Sequence, residues 1–163
     1  MRLEGGILNK FMGDGILAIF GAPLENKDHA ASAARAALRI RDLAETPDKA
    51  RALAGLRPLR LGIGINTGEA VAGCIGTKAR TEYTVIGHSV NLGARIEQIA
   101  APGQILLGPG TAELLGAEFK LESRGGTNLK GVAQPVELWE LLEAVPVYAV
   151  RTGRKVNGQD PDN

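Results

Sequence analysis

Asn91 and Arg95 stand four residues apart in the stretch TEYTVIGHSVNLGARIE, Thr81 to Glu97. On a helix that spacing sends an amide and a guanidinium from the same face, one turn apart. Thr84 precedes the turn at Gly87, at the end of a short apolar strand, where its hydroxyl can face the same cleft. Arg forks onto phosphate oxygens, and Asn and Thr read hydroxyl or base edges, so the three together suit a planar, polar, negatively charged ligand such as a nucleotide. Three further side chains are candidates. Lys130 lies in Gly125-Gly126-Thr127-Asn128-Leu129-Lys130-Gly131, a Gly-flanked loop where backbone can approach a ligand and an ammonium can reach phosphate. Asp14 lies in Gly13-Asp14-Gly15, and Lys10 lies four residues earlier. Each has an ordinary reading as well. Asp favours turns, a lone strand Lys is usually solvated, Asn91 can bond a nearby loop, and Arg95 can form a surface ion pair worth under about 1 kcal/mol.

The elements that must position these groups are read from periodicity. Two apolar runs flanking Gly13-Asp14-Gly15, the second from Ile16 to Phe20, predict a hairpin with an Asp-Gly turn and Asp14 at its tip. Gly21-Ala22-Pro23 stops the second strand. Asp28 can cap a helix in which Ala30, Ala33, Ala34, Ala37, Leu38 and Ala44 recur at helical spacing, with Arg35, Arg39 and Asp42 on the wet side. Glu45 to Pro58 reads as a helix end and linker. Leu59, Leu61, Ile63 and Ile65 alternate with Arg60, Gly62, Gly64 and Asn66, the period of a strand whose glycines admit a close backbone or ligand. Ala70 to Ile75 predicts the next strand, and the helix of Asn91 and Arg95 follows, begun with the help of His88. Then come a strand at Gln104 to Leu107, a short helix at Thr111 to Leu115, a strand at Phe119 and Leu121, and a closing strand from Val136 to Leu142. Trp139 and Cys74 are expected in the core.

Composition sets the outer limits. The 163 residues, 44% apolar, suffice for one core. One domain is placed at 1–145, and 146–163 is a polar tail with too little apolar content to fold. Net charge is +1, so nothing directs the chain to nucleic acid or to an anionic membrane. One cysteine excludes an internal disulfide and suits a reducing compartment, taken as the cytoplasm, and no apolar run of membrane-spanning length occurs. His29 and His88 lack a zinc-ligand companion, and neither a phosphate-binding GxxxxGK[ST] loop nor a Ser-His-Asp set is present.

Four blocks taken together, GGILNKFMGDGILAIFGAP, LRLGIGINTGEAVAGCIG, EYTVIGHSVNLGARIE and NLKG, resemble in order and spacing the class III nucleotidyl (adenylate and guanylate) cyclase catalytic domain of the bacterial branch. The resemblance implies an α/β (α+β) ferredoxin-like βαββαβ core acting as a head-to-tail homodimer, with ATP bound where two subunits meet. By the same resemblance Asp14 matches the second of two metal-binding aspartates for paired Mg²⁺ (or Mn²⁺). Lys10 and Thr84 match the purine-reading pair, Asn91 the ribose-orienting residue, Arg95 the transition-state arginine and Lys130 the triphosphate-holding lysine. Regulatory domains are expected outside this chain. The family's first metal aspartate sits in a motif resembling F-x-D-I-x-G-F-T, which this sequence lacks. The opening strand and its helices are therefore expected to be missing, leaving weak Mg²⁺ binding, poor turnover and an uncovered seam in the sheet. The rival readings are a catalytically inactive homology module that dimerises and relays a signal, and, ranked low for want of a GG[DE]EF hairpin, a diguanylate cyclase.

Overall fold

A computed structural model describes residues 4–45, 55, 61–77 and 80–145. The N-terminal segment forms an antiparallel hairpin, β1 (Ile7–Met12) with β2 (Gly15–Ile19). Met12 pairs with Gly15, so the loop residues are Gly13 and Asp14, one position earlier than the Asp-Gly turn expected. Of the two only Gly13 has a positive φ, 65°, the pattern of a type II′ turn, whose twist matches that of the strands. Asp14 is at the tip, as read from the sequence.

Helix α1 (His29–Glu45) follows. Then come β3 (Ile63–Ile65), a second hairpin of β4 (Val71–Thr77) and β5 (Arg80–Ile86), helix α2 (His88–Ile99), β6 (Ile105–Leu107), the short helix α3 (Pro109–Leu114), β7 (Phe119–Thr127) and β8 (Val136–Ala144). Apart from Gly55, the expected linker beyond Glu45, the strand residues Leu59 and Arg60 and the tail from Pro146 lie outside the described residues. Strand β7 continues through Gly125, Gly126 and Thr127, which pair with Leu138, Glu137 and Val136. The glycine loop read from the sequence is thus shortened to the residues around Lys130, because the ladder to β8 gives those glycines backbone partners.

Strands β3, β6, β8 and β7 form one sheet in that order, and its side-chain alternation defines three layers. Ile105, Leu107 and Leu141 face α1 and pack with Ala31, Ala34, Ala37, Leu38 and Phe119, while Ile63, Ile65, Leu115, Leu121 and Trp139 border that cluster. Leu106 and Leu138, one residue out of phase, face the other way and pack with Ile96 of α2 and with Leu129. Small side chains on α1 let the helix sit close, and Arg41 Nη1 donates to the Leu142 carbonyl at 3.0 Å, tying α1 to β8. The glycines of β3 serve packing too. A Cβ at Gly64 would overlap the backbone of Glu97 in α2, and one at Gly62 would lie 2.5 Å from the carbonyl oxygen of Ala100.

The two hairpins share no backbone ladder with this sheet or with each other among the described residues. Phe11 is 71% exposed and Val71 73%, and Leu8, Met12, Ile16, Ile75 and Ile86 are exposed as well. Cys74 shares that setting. Its expected place in the core is not observed: it lies opposite Tyr83 in a hairpin outside the four-stranded sheet, and it is exposed.

Candidate functional site

Helix α2 carries Asn91 and Arg95, and its position is fixed from both ends. Gly87 precedes it without a side-chain cap, so His88 is its first residue and contributes no capping hydrogen bond. The start is pinned from outside: Asn66 Nδ2 donates to the Ser89 carbonyl at 2.9 Å, and Ser89 Oγ donates to the Glu69 carbonyl at 2.5 Å. Leu92 and Ile96, four apart, hold the helix to the sheet while Gly62 and Gly64 admit its backbone. Asn91 and Arg95 lie one residue before that pair, on the flank of the buried stripe. Asn91 is exposed. Arg95 is half-buried and donates from Nη1 to Gln98 Oε1 at 3.0 Å, which leaves most of its five N–H donors available.

Lys130 sits in the tight connection between β7 and β8, where Val132 N donates to the Leu129 carbonyl at 3.1 Å and Gly131 takes a φ of 76°. Leu129 is buried in the same cluster as Ile96, the neighbour of Arg95. The connection is thereby anchored to α2, and Lys130 projects from it exposed. The side chains of Asp14, Asn91 and Lys130 make no hydrogen bond or ion pair among the described residues.

The closest gathering of site residues joins the two hairpins. Lys10 Nζ donates to Thr84 Oγ1 at 3.3 Å, and Thr84 is buried, 9% exposed. Thr84 Oγ1 in turn donates to Asn9 Oδ1 at 3.3 Å, and Asn9 Nδ2 donates to the Tyr83 carbonyl at 2.6 Å. Consecutive strand residues normally point to opposite faces. Here the ladder slips between Leu8, paired with Ala18, and Lys10, paired with Leu17, so Asn9 is the extra residue of a bulge and reaches β5 together with Lys10. Asn9 is the residue that sequence reasoning missed. The only signal was an amide interrupting the apolar run Ile7-Leu8-Asn9-Lys10-Phe11.

The other candidates are not drawn into one hollow. A shallow cavity of about 360 Å³ is bordered by Asn66, Glu69, His88 and Leu92, another of similar size by Arg35, Leu38, Arg39 and Leu43, and neither is lined by any of the six site residues. No three His, Cys, Asp or Glu side chains converge on a metal position among the described residues. Asp14 offers a single carboxylate at a hairpin tip, and a pair of Mg²⁺ ions, hard cations needing several oxygen ligands, does not fit that one donor. No helix among the described residues is long and apolar enough to cross a membrane.

The family model of the adenylate and guanylate cyclase catalytic domain matches residues 9–143, so the chain belongs to that family, the class III nucleotidyl cyclases. Adenylate cyclase 1 of Rhizobium meliloti is 31% identical over 142 residues, 86% of this chain and 21% of that protein, so the chain spans about a fifth of this relative's length. The crystal structure of the adenylyl cyclase CyaB from P. aeruginosa superposes with a TM-score of 0.82 at 30% identity, covering 86% of this chain and 74% of that one. The guanylyl cyclase Cya2 superposes with a TM-score of 0.72 at 39% identity, covering 89% and 74%. The mixed α and β architecture is thus that of a cyclase catalytic domain, and its relatives include enzymes named for either purine.

Proposed function

We propose that this chain is an adenylate cyclase catalytic domain, converting ATP to 3′,5′-cyclic AMP and pyrophosphate as a head-to-tail homodimer in cytoplasmic signal transduction. Its regulatory domains then lie outside this chain. The observation that carries the reading is Lys10 Nζ 3.3 Å from the buried hydroxyl of Thr84. An ammonium donates to adenine N1, whereas guanine carries a hydrogen there and meets a donor with a donor. Lys10 and Thr84 hold the base edge, Asn91 orients the ribose and Lys130 holds the triphosphate. The ribose 3′-oxygen attacks the α-phosphorus, and its proton passes to solvent water. The bond to the pyrophosphate oxygen breaks, and Arg95 meets the phosphoryl oxygens as charge builds. One subunit supplies these five side chains and its mate supplies Asp14. That division accounts for a chain in which no cavity described above contains them, since half of each site comes from the second copy.

The lone carboxylate of Asp14 favours one other reading, a catalytically inactive homology module that binds nucleotide and dimerises. Both are tested by incubating the 163-residue chain with ATP or GTP and Mg²⁺ or Mn²⁺ and identifying products by mass spectrometry. Slow formation of cyclic AMP, reduced a further ~100-fold in Arg95→Ala, supports the enzyme. Cyclic GMP as the main product overturns the substrate assignment, and ATP binding without product favours the inactive module.

A further inference from the structure

We propose that Asn9 is a positioning residue that fixes the direction of the Thr84 hydroxyl and so makes the purine site accept adenine and reject guanine. The inference rests on the purine-site reading of Lys10 and Thr84 given above. A hydroxyl has one donor proton and two lone pairs. The Thr84 proton goes to Asn9 Oδ1 at 3.3 Å and one lone pair receives Lys10 Nζ at 3.3 Å, which leaves a single lone pair for a ligand. Thr84 is then an acceptor only. Asn9 cannot reverse this by turning over, because its Nδ2 is engaged by the Tyr83 carbonyl at 2.6 Å and a flipped amide would set oxygen against oxygen. The bulge between Leu8 and Lys10 brings Asn9 to this position. Position 6 of adenine is an amino donor and satisfies the remaining lone pair; position 6 of guanine is a carbonyl acceptor and is repelled by it. Lys10 still has ammonium protons for N1, so the pair presents donor and acceptor in the order that adenine complements.

The test measures ATP and GTP affinity of the 163-residue chain by calorimetry with Mg²⁺ present. Asn9→Leu frees the Thr84 proton to turn toward a carbonyl, and the ATP-to-GTP preference is expected to fall roughly tenfold. In a Thr84→Val background, Asn9→Leu is expected to change the preference less than about twofold, since its effect passes through the hydroxyl. A merely structural Asn9 lowers both affinities together and leaves their ratio unchanged, which overturns the proposal. A second measurement needs no variant. The triphosphate of 6-methoxypurine riboside keeps an acceptor at N1 but places an acceptor at position 6, and it is expected to bind the wild-type chain roughly tenfold more weakly than ATP. Equal binding overturns the role of Asn9. Failure of the wild-type chain to bind either ATP or GTP overturns instead the purine-site reading beneath it.

Discussion

The four-stranded sheet and the two hairpins are built from similar apolar strands and treated in opposite ways. In the sheet, Leu107, Ile105 and Leu141 lie beneath α1, and Leu106 and Leu138 beneath α2, all nearly inaccessible. In the hairpins, Phe11, Ile16 and Val71 of comparable size stand open to solvent. Two of the candidate site residues, Asn91 and Arg95, ride on a helix locked to the covered sheet, whereas Lys10, Asp14 and Thr84 ride on the uncovered hairpins. The covered half therefore positions the ribose- and phosphate-facing Asn91 and Arg95 of the proposed site, and the hairpins carry the base-reading pair Lys10 and Thr84 together with Asp14. What they lack is a cover, which the second subunit proposed above would provide.

Truncating the covered half is expected to have the largest effect. Leu107→Ala removes a side chain with 0% exposure from between α1 and the sheet, and the cavity is expected to cost about 2–5 kcal/mol in chemical denaturation. A loss below about 1 kcal/mol would mean that the layer collapses around the gap and that the contrast with the hairpins is overdrawn. Gly64→Ala comes next. The new methyl meets the backbone of Glu97, which no rotamer change relieves, and a loss of about 1–3 kcal/mol is expected as α2 is pushed off β3. Because α2 carries Asn91 and Arg95, the same variant should weaken nucleotide binding although residue 64 is not proposed to touch ligand. On the uncovered half, Phe11→Ser is expected to shift the unfolding free energy by no more than about 0.5 kcal/mol. Its signature is weaker self-association in sedimentation, if the hairpin face is what the second copy covers.

Much of this division was legible in the sequence because it rests on local patterns. Alternation marked β3, the alanine spacing marked α1, and apolar runs around Gly13-Asp14-Gly15 marked the first hairpin. The four motif blocks carried the family. What escaped depends on contacts between distant segments. The glycines of β3 signalled a close approach, but whether of ligand or of backbone was settled only by the packing of α2, some thirty residues on. Cys74 is of a residue type common in cores and is exposed because its hairpin stands outside the layered sheet, which no local pattern encodes. Asn9 depends on a one-residue slip in the β1–β2 ladder and on β5 lying alongside, 74 residues away in sequence, so nothing near it announced the bond to Tyr83.

The smallest effect is expected where charge alone is at stake. Lys120 and Glu143 face each other across β7 and β8 at 3.0 Å, with side chains 59% and 60% exposed. In water the Coulomb gain of such a pair is nearly offset by the entropy of ordering two long side chains, and salt screens what is left. Lys120→Ala is therefore expected to cost less than about 0.5 kcal/mol, with the difference from wild type vanishing in about 1 M salt. Glu140 in the next part of the same ladder is different: its side chain is 16% exposed and accepts from Gln104 Nε2 at 2.5 Å as well as from Arg124. If Lys120→Ala costs more than about 1 kcal/mol, the sheet is held by its rim as well as by its buried faces. The hairpins, which have few such pairs among their described residues, would then differ from the sheet in charge as much as in cover.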